Sequence, residues 1–125
     1  MKDVVLTDKG PKPIGPYSQG VVAGGLLFLS GQVAIKPETN EFVSGSIEVQ
    51  TDQVLKNLMA VLKEAKLGPE NVVKATVYLV DLGDFPAMNK VYGQYFADPA
   101  PARSTVGVAA LPKSAKVEID LIAVF

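Results

Sequence analysis

The chain has 125 residues, of which 48% are hydrophobic and 20% charged, with a formal net charge of −1. That length fits one domain spanning residues 1–125, and a mean hydropathy of +0.24 supplies a full core plus surplus apolar surface of the kind oligomers cover. The balanced charge gives no pull towards nucleic acid or an anionic membrane. No apolar run is long enough to span a bilayer, and the start Met1-Lys2-Asp3 lacks a signal-peptide layout, so a cytoplasmic protein with no nucleic-acid and no membrane partner is expected. Neither Cys nor His is present, which excludes thiolate nucleophiles, disulfides, Ser-His-Asp triads and ordinary zinc sites. No metal is expected, and any acid or base must come from Asp, Glu, Lys, Tyr, a terminus or water.

The segment Lys9 to Tyr17 holds three prolines and two glycines and reads as a stiff loop. The apolar runs Gly20–Ala23 and Leu26–Val33 flank Gly24-Gly25, the pattern of a β-hairpin. A polar loop over residues 36–46 leads to the strongest helix, where Ile47, Thr51, Val54, Leu55, Leu58, Met59, Leu62 and Ala65 share one face. Ser46 is its expected cap and Leu67-Gly68-Pro69 its stop. Residues 72–80 are β-branched and read as a strand. Asp84 is expected to cap a second helix that buries Phe85, Met88, Tyr92, Tyr95 and Phe96 and ends before Pro99. Residues 103–109 and 115–125 complete the chain as strands around a turn at 111–114.

This order, β-β-α-β-α-β-β, predicts an α+β fold with both helices on one face of a single mixed sheet. Alternation predicts that Val117, Ile119, Leu121 and Phe125 face one side of the last strand, and Glu118, Asp120, Ile122 and Val124 the other. Likewise Val73, Ala75, Val77 and Leu79 are expected to face the helices, opposite Lys74, Thr76 and Tyr78. The second rows mix apolar and charged groups, which suits subunit packing with polar clefts at its margins.

Eleven of the twelve basic residues are lysine, and the one arginine, Arg103, follows the rigid Pro99-Ala-Pro101 corner. Lone use of a planar fork, held at a strand end, points to bidentate capture of a carboxylate; the alternative is a surface arginine. Arg103 and Thr105 share a face. Glu118, inside the last strand, is either an exposed or paired residue or a base whose proton affinity is raised by a half-buried cleft. Tyr17, in its Pro-Gly loop, could close a pocket or simply pack. Ser30 and Gly31 end the hairpin's second strand, where the glycine permits close backbone approach. Asn89 lies on the second helix between Phe85 and Tyr92. Phosphate-loop, dinucleotide and calcium-loop motifs are absent.

In order along the chain, Ile14-Gly-Pro-Tyr-Ser-Gln19, Leu29-Ser-Gly-Gln32, Val72 through Leu82, Phe85 with Met88-Asn89 and Tyr92, Pro101-Ala-Arg-Ser-Thr-Val106 and Lys116-Val-Glu-Ile-Asp120 resemble the Rid (YjgF-type) imine deaminases. The resemblance implies a chorismate-mutase-like α+β fold, assembled as a homotrimer with a cleft between each pair of subunits. It implies a cofactor-free hydrolysis of small 2-imino acids to 2-oxo acids and ammonia, with Arg103 binding the substrate carboxylate and Glu118 activating water. Tyr17, Ser30 and Asn89 are implied to line the cleft, with backbone contacts at Gly31 and Thr105. Many members carry cysteine where this chain has Thr105, which puts thiol-based redox control in doubt. Two other functions stay open: a non-catalytic sensor of small carboxylates, and RNA cleavage. A ribonuclease without histidine, and with one arginine, would lack its usual acid–base pair and phosphate anchor.

Overall fold

A computed structural model describes residues 2–125. Three strands come first: β1 (Asp3–Val5), β2 (Gly20–Ala23) and β3 (Leu26–Gln32). They are followed by α1 (Ile47–Glu64), β4 (Val72–Leu79), α2 (Phe85–Tyr95), β5 (Ala102–Gly107) and β6 (Val117–Val124). Among the described residues the strands form one mixed sheet in the order β1-β2-β3-β6-β4-β5, in which β4 and β5 run parallel and the other neighbours antiparallel. The expected α+β arrangement of a single mixed sheet with two helices is therefore present. β1 was not expected: three residues are too short to show alternation, and the strand exists by pairing with β2.

Helix α1 forms where predicted. Ser46 Oγ accepts from Val49 N at 3.2 Å, and Val54, Leu55, Leu58, Val61 and Leu62 are fully buried. They pack on a sheet row made of Leu27, Leu29, Ala75, Val77, Leu79, Val117, Ile119, Leu121 and Ala123. Helix α2 adds Met88 and Tyr92 to the same core, and Phe96, just past its end, joins them. Asp84 does not cap α2 with its side chain; the capping carboxylate is Asp81, which accepts from Gly83 N at 2.8 Å in a short 3-10 turn ahead of the helix.

Two further expectations fail, both at strand ends. The β4–β6 register shifts between Val72 and Lys74, so Val72 takes the inward position and Val73 lies 44% exposed. Phe125 lies beyond the end of β6 and is 55% exposed rather than continuing its inward row. The sheet face away from the helices carries Phe28, Tyr78, Val106, Glu118, Asp120 and Ile122. No helix among the described residues is long and apolar enough to cross a membrane.

Candidate active site

The first candidate cavity is built on an irregularity. Leu29 pairs with Leu121 and Gln32 with Ile119, so Ser30 and Gly31 face the single residue Asp120 in a β-bulge. The bulge brings Gly31 against Glu118, which leaves β6 on the face away from the helices, opposite Tyr78. A β-carbon at Gly31 would stand 3.0 Å from Glu118 Cδ and 3.2 Å from Cγ, and nearer still to the carboxylate oxygen. Glycine is required there for close approach. Around this contact opens a cavity of about 500 Å³ lined by Tyr17, Ser30, Gly31 and Glu118, with Ile14, Val33 and Ile35 as an apolar wall.

Buried amides hold the cavity's rim. Gln19 is 1% exposed; its Oε1 accepts from Thr7 N at 2.7 Å, and its Nε2 donates to the carbonyls of Thr7 at 3.0 Å and Pro11 at 2.8 Å. This fixes the stretch that brings Pro11 and Lys12 into the lining. Ser30 Oγ donates to Ser18 O at 2.5 Å, tying the Tyr17 loop to the bulge. Gln50 Oε1, buried on α1, accepts from Lys116 N at 2.9 Å, close in sequence to the turn that contributes Pro112 and Lys113 to the lining. Lys113 and Ser114 both adopt left-handed backbone conformations (φ 62° and 54°), a strained turn of the kind found at functional sites. Burial first, and the nearby Asp120 carboxylate second, push the Glu118 carboxyl above its ordinary value. Asp120 in turn accepts from the Tyr78 hydroxyl at 2.9 Å, a bond that raises the Tyr78 hydroxyl along with burial and carboxylate charge.

A second cavity of about 440 Å³ lies between α2 and β5, lined by Asn89, Tyr92, Phe96, Pro101 and Arg103. Arg103 registers with Ala75, so its side chain leaves the sheet on the helix face. Its Nη1 donates to Asn89 Oδ1 at 2.7 Å, and its Cζ sits 4.7 Å from the Tyr92 ring centroid and 5.4 Å from that of Phe85. Burial raises the Tyr92 hydroxyl and the Arg103 charge partly offsets this, yet among the described residues no group meets that hydroxyl at hydrogen-bond geometry.

The expected site residues thus fall into two groups. Tyr17, Ser30, Gly31 and Glu118 come together in one cavity, and Asn89 and Arg103 in the other; the two cavities share no residue. Thr105 registers with Val77 and shares the Arg103 face as expected, but it lines neither cavity, and its hydroxyl is buried without a partner among the described residues. Arg103 and Glu118 leave opposite faces of the sheet. Sequence reasoning assigned no role to Gln19, Gln50, Lys12 or Lys113. Of these, Gln19 carried a signal: a long amide directly before an apolar strand needs buried partners.

The family model described as Endoribonuclease L-PSP matches residues 7–125. The chain belongs to this family, the Rid (YjgF-type) proteins. This Rid protein is 50% identical over 123 residues to a RutC family protein of Pyrococcus horikoshii, covering 98% of each chain. It is 52% identical over 122 residues to Reactive Intermediate Deaminase A, chloroplastic, of Arabidopsis thaliana, covering 98% of this chain and 65% of that one. Among solved structures it matches the Rid family protein YyfA of Yersinia pestis at TM-score 0.96 and 44% identity, over 100% of both chains.

Proposed function

We propose that the chain is a 2-iminobutanoate/2-iminopropanoate deaminase that needs no metal or cofactor. The observation that carries this is Glu118: a half-buried carboxylate with raised proton affinity, fixed over the backbone of Gly31 in an otherwise largely apolar cavity. The 52% identity to a relative named Reactive Intermediate Deaminase A supports a deaminase-type activity. A 2-imino acid becomes a strong electrophile once its nitrogen is protonated. Glu118 takes a proton from water as the oxygen adds to the imine carbon, giving a carbinolamine. Return of that proton to nitrogen makes it a leaving group; as the C–N bond breaks, Glu118 takes the hydroxyl proton, the carbonyl of the 2-oxo acid forms, and the departing ammonia carries that proton away as ammonium. Arg103 docks the substrate carboxylate through two parallel hydrogen bonds.

The fork and the base leave opposite sheet faces, so we assign each site to two chains, with Arg103 from one and Glu118, Tyr17 and Ser30 from its neighbour. A homotrimer that covers the open sheet face provides three such clefts. A cytoplasmic location fits substrates released there by amino-acid dehydratases. The family description names an endoribonuclease, but a net charge of −1 gives no overall pull on RNA, and without histidine the usual acid–base pair is missing.

Freshly generated 2-iminopropanoate, made in place by a dehydratase, should yield pyruvate faster when the protein is present. No acceleration with any small 2-imino acid would remove the deaminase reading, and tight oxo-acid binding without turnover would make the protein a sensor. The shared site has its own test. Arg103→Ala and Glu118→Gln chains, each inactive, are unfolded together and refolded at equal ratio; random assembly then restores about a quarter of the sites. A mixture as inactive as its parents would place both residues in one chain's site.

A further inference from the structure

Phe85, Asn89 and Tyr92 lie at i, i+4 and i+7 on α2, one stripe of the helix facing β5. All three meet the same group. Asn89 Oδ1 takes one Nη1 hydrogen of Arg103 at 2.7 Å, the Tyr92 ring lies 4.7 Å from Cζ, and the Phe85 ring 5.4 Å from it. Phe96 braces Tyr92 from behind, with ring centroids 4.7 Å apart. A guanidinium rotates freely about its stem unless its plane and at least one N–H are fixed; here two rings set the plane and one amide sets the rotation. Among the described residues Asn89 is the one hydrogen-bond partner of the guanidinium, so the edge formed by Nε and Nη2 stays free for a two-bond grip on a carboxylate.

We propose that Phe85, Asn89 and Tyr92 are positioning residues that hold Arg103 in the single orientation able to receive the substrate carboxylate, and that Asn89 acts through Arg103 rather than touching substrate. This rests on the deaminase reading only for what the held arginine grips. The Tyr92 hydroxyl has no partner among the described residues, so the ring carries the effect, and the aromatic stack makes Arg103→Lys unable to use the same seat.

The test uses the full-length protein and the fact that Arg103 is its one arginine, so ¹⁵N-arginine labelling gives a single guanidinium spectrum. Wild type should show resolved Nη1 and Nη2 signals from slowed rotation. Asn89→Ala and Tyr92→Leu should average them, and Tyr92→Phe should restore the resolved pattern. Both disruptive variants should bind 2-oxobutanoate roughly tenfold more weakly and raise KM more than they lower kcat, with cooperative melting retained. In an Arg103→Ala background, Asn89→Ala should add no further loss of 2-oxobutanoate binding. Resolved signals in both disruptive variants would overturn the proposal. So would an equal binding loss from Asn89→Ala with and without Arg103, since the amide would then touch the ligand itself. If wild type neither binds oxo acids nor turns over imines, the deaminase reading fails, and the guanidinium spectra alone decide whether α2 holds the arginine.

Discussion

Replacing Gly31 by alanine tests the placement of Glu118 while leaving Glu118 itself intact. Gly31 has no left-handed backbone angle, so alanine fits the chain without strain. The new methyl would lie 3.0 Å from Glu118 Cδ and 3.2 Å from Cγ, where ordinary contact begins near 3.4 Å, and the carboxylate oxygen is closer still. The flexible end of the glutamate yields more readily than the sheet backbone, so the carboxylate should retreat by roughly 0.5–1 Å while the fold stays intact. A displacement of that size from a near-attack position costs about thirtyfold to a hundredfold in rate, or roughly 2–2.7 kcal/mol of barrier. The assay is dehydratase-coupled conversion of 2-iminopropanoate, read alongside thermal melting by circular dichroism. Because both changes act through one carboxylate, Gly31→Ala should add little to the loss already caused by Glu118→Gln. A folded Gly31→Ala protein working at the wild-type rate would show that this contact does not set the catalytic geometry.

Arg103→Lys keeps the charge but loses the fork, so it should fold and assemble yet lose about 2–4 kcal/mol of transition-state stabilisation, roughly thirtyfold to a thousandfold in rate; wild-type turnover would reduce Arg103 to a surface charge. Glu118→Gln should change stability with pH in a set direction. A carboxyl raised in the folded state contributes stability below its ordinary value and loses it as pH rises through the raised one, so glutamine should be neutral in acid and stabilising at neutral pH. Urea melts at matched protein concentration that show the same difference at both pH values would contradict this, and the rate of the wild type should fall with decreasing pH above the ordinary carboxyl range. Thr105→Val replaces a buried, unpartnered hydroxyl with a methyl and should gain about 1 kcal/mol; a loss of that size would show that the hydroxyl is bonded in the assembled protein.

The architecture was largely legible because its signals are local. The buried face of α1 from Ile47 to Leu62 and the alternation of β6 each run over enough residues to fix a period, and Gly24-Gly25 marks its hairpin turn directly. The errors occur where a nonlocal contact sets the outcome. Asp84 has the residue type of a cap, but the chain places Asp81 at the turn that precedes the helix. Val73 has strand propensity, but the bulge against β6 rotates it outward. β1 has no pattern of its own and is a strand only because β2 offers it an edge.

For the site, residue type narrowed the candidates, since a chain without His or Cys leaves few side chains able to carry acid–base chemistry. It did not reveal how they group. Alternation assigns each residue a side of its own strand, but whether two strands agree on that side depends on register. Arg103 aligns with Ala75 and Glu118 with Tyr78, positions of opposite parity on the same strand β4. That odd offset alone sends the guanidinium to the helix face and the carboxylate to the open face. No side-chain rotation carries either group through a hydrogen-bonded sheet, so bringing them to one substrate within one chain would require breaking the β4–β5 or β4–β6 ladder. Pairing the open face of one copy with the α2–β5 edge of another brings them together with every ladder intact, which is why we place the reaction between chains.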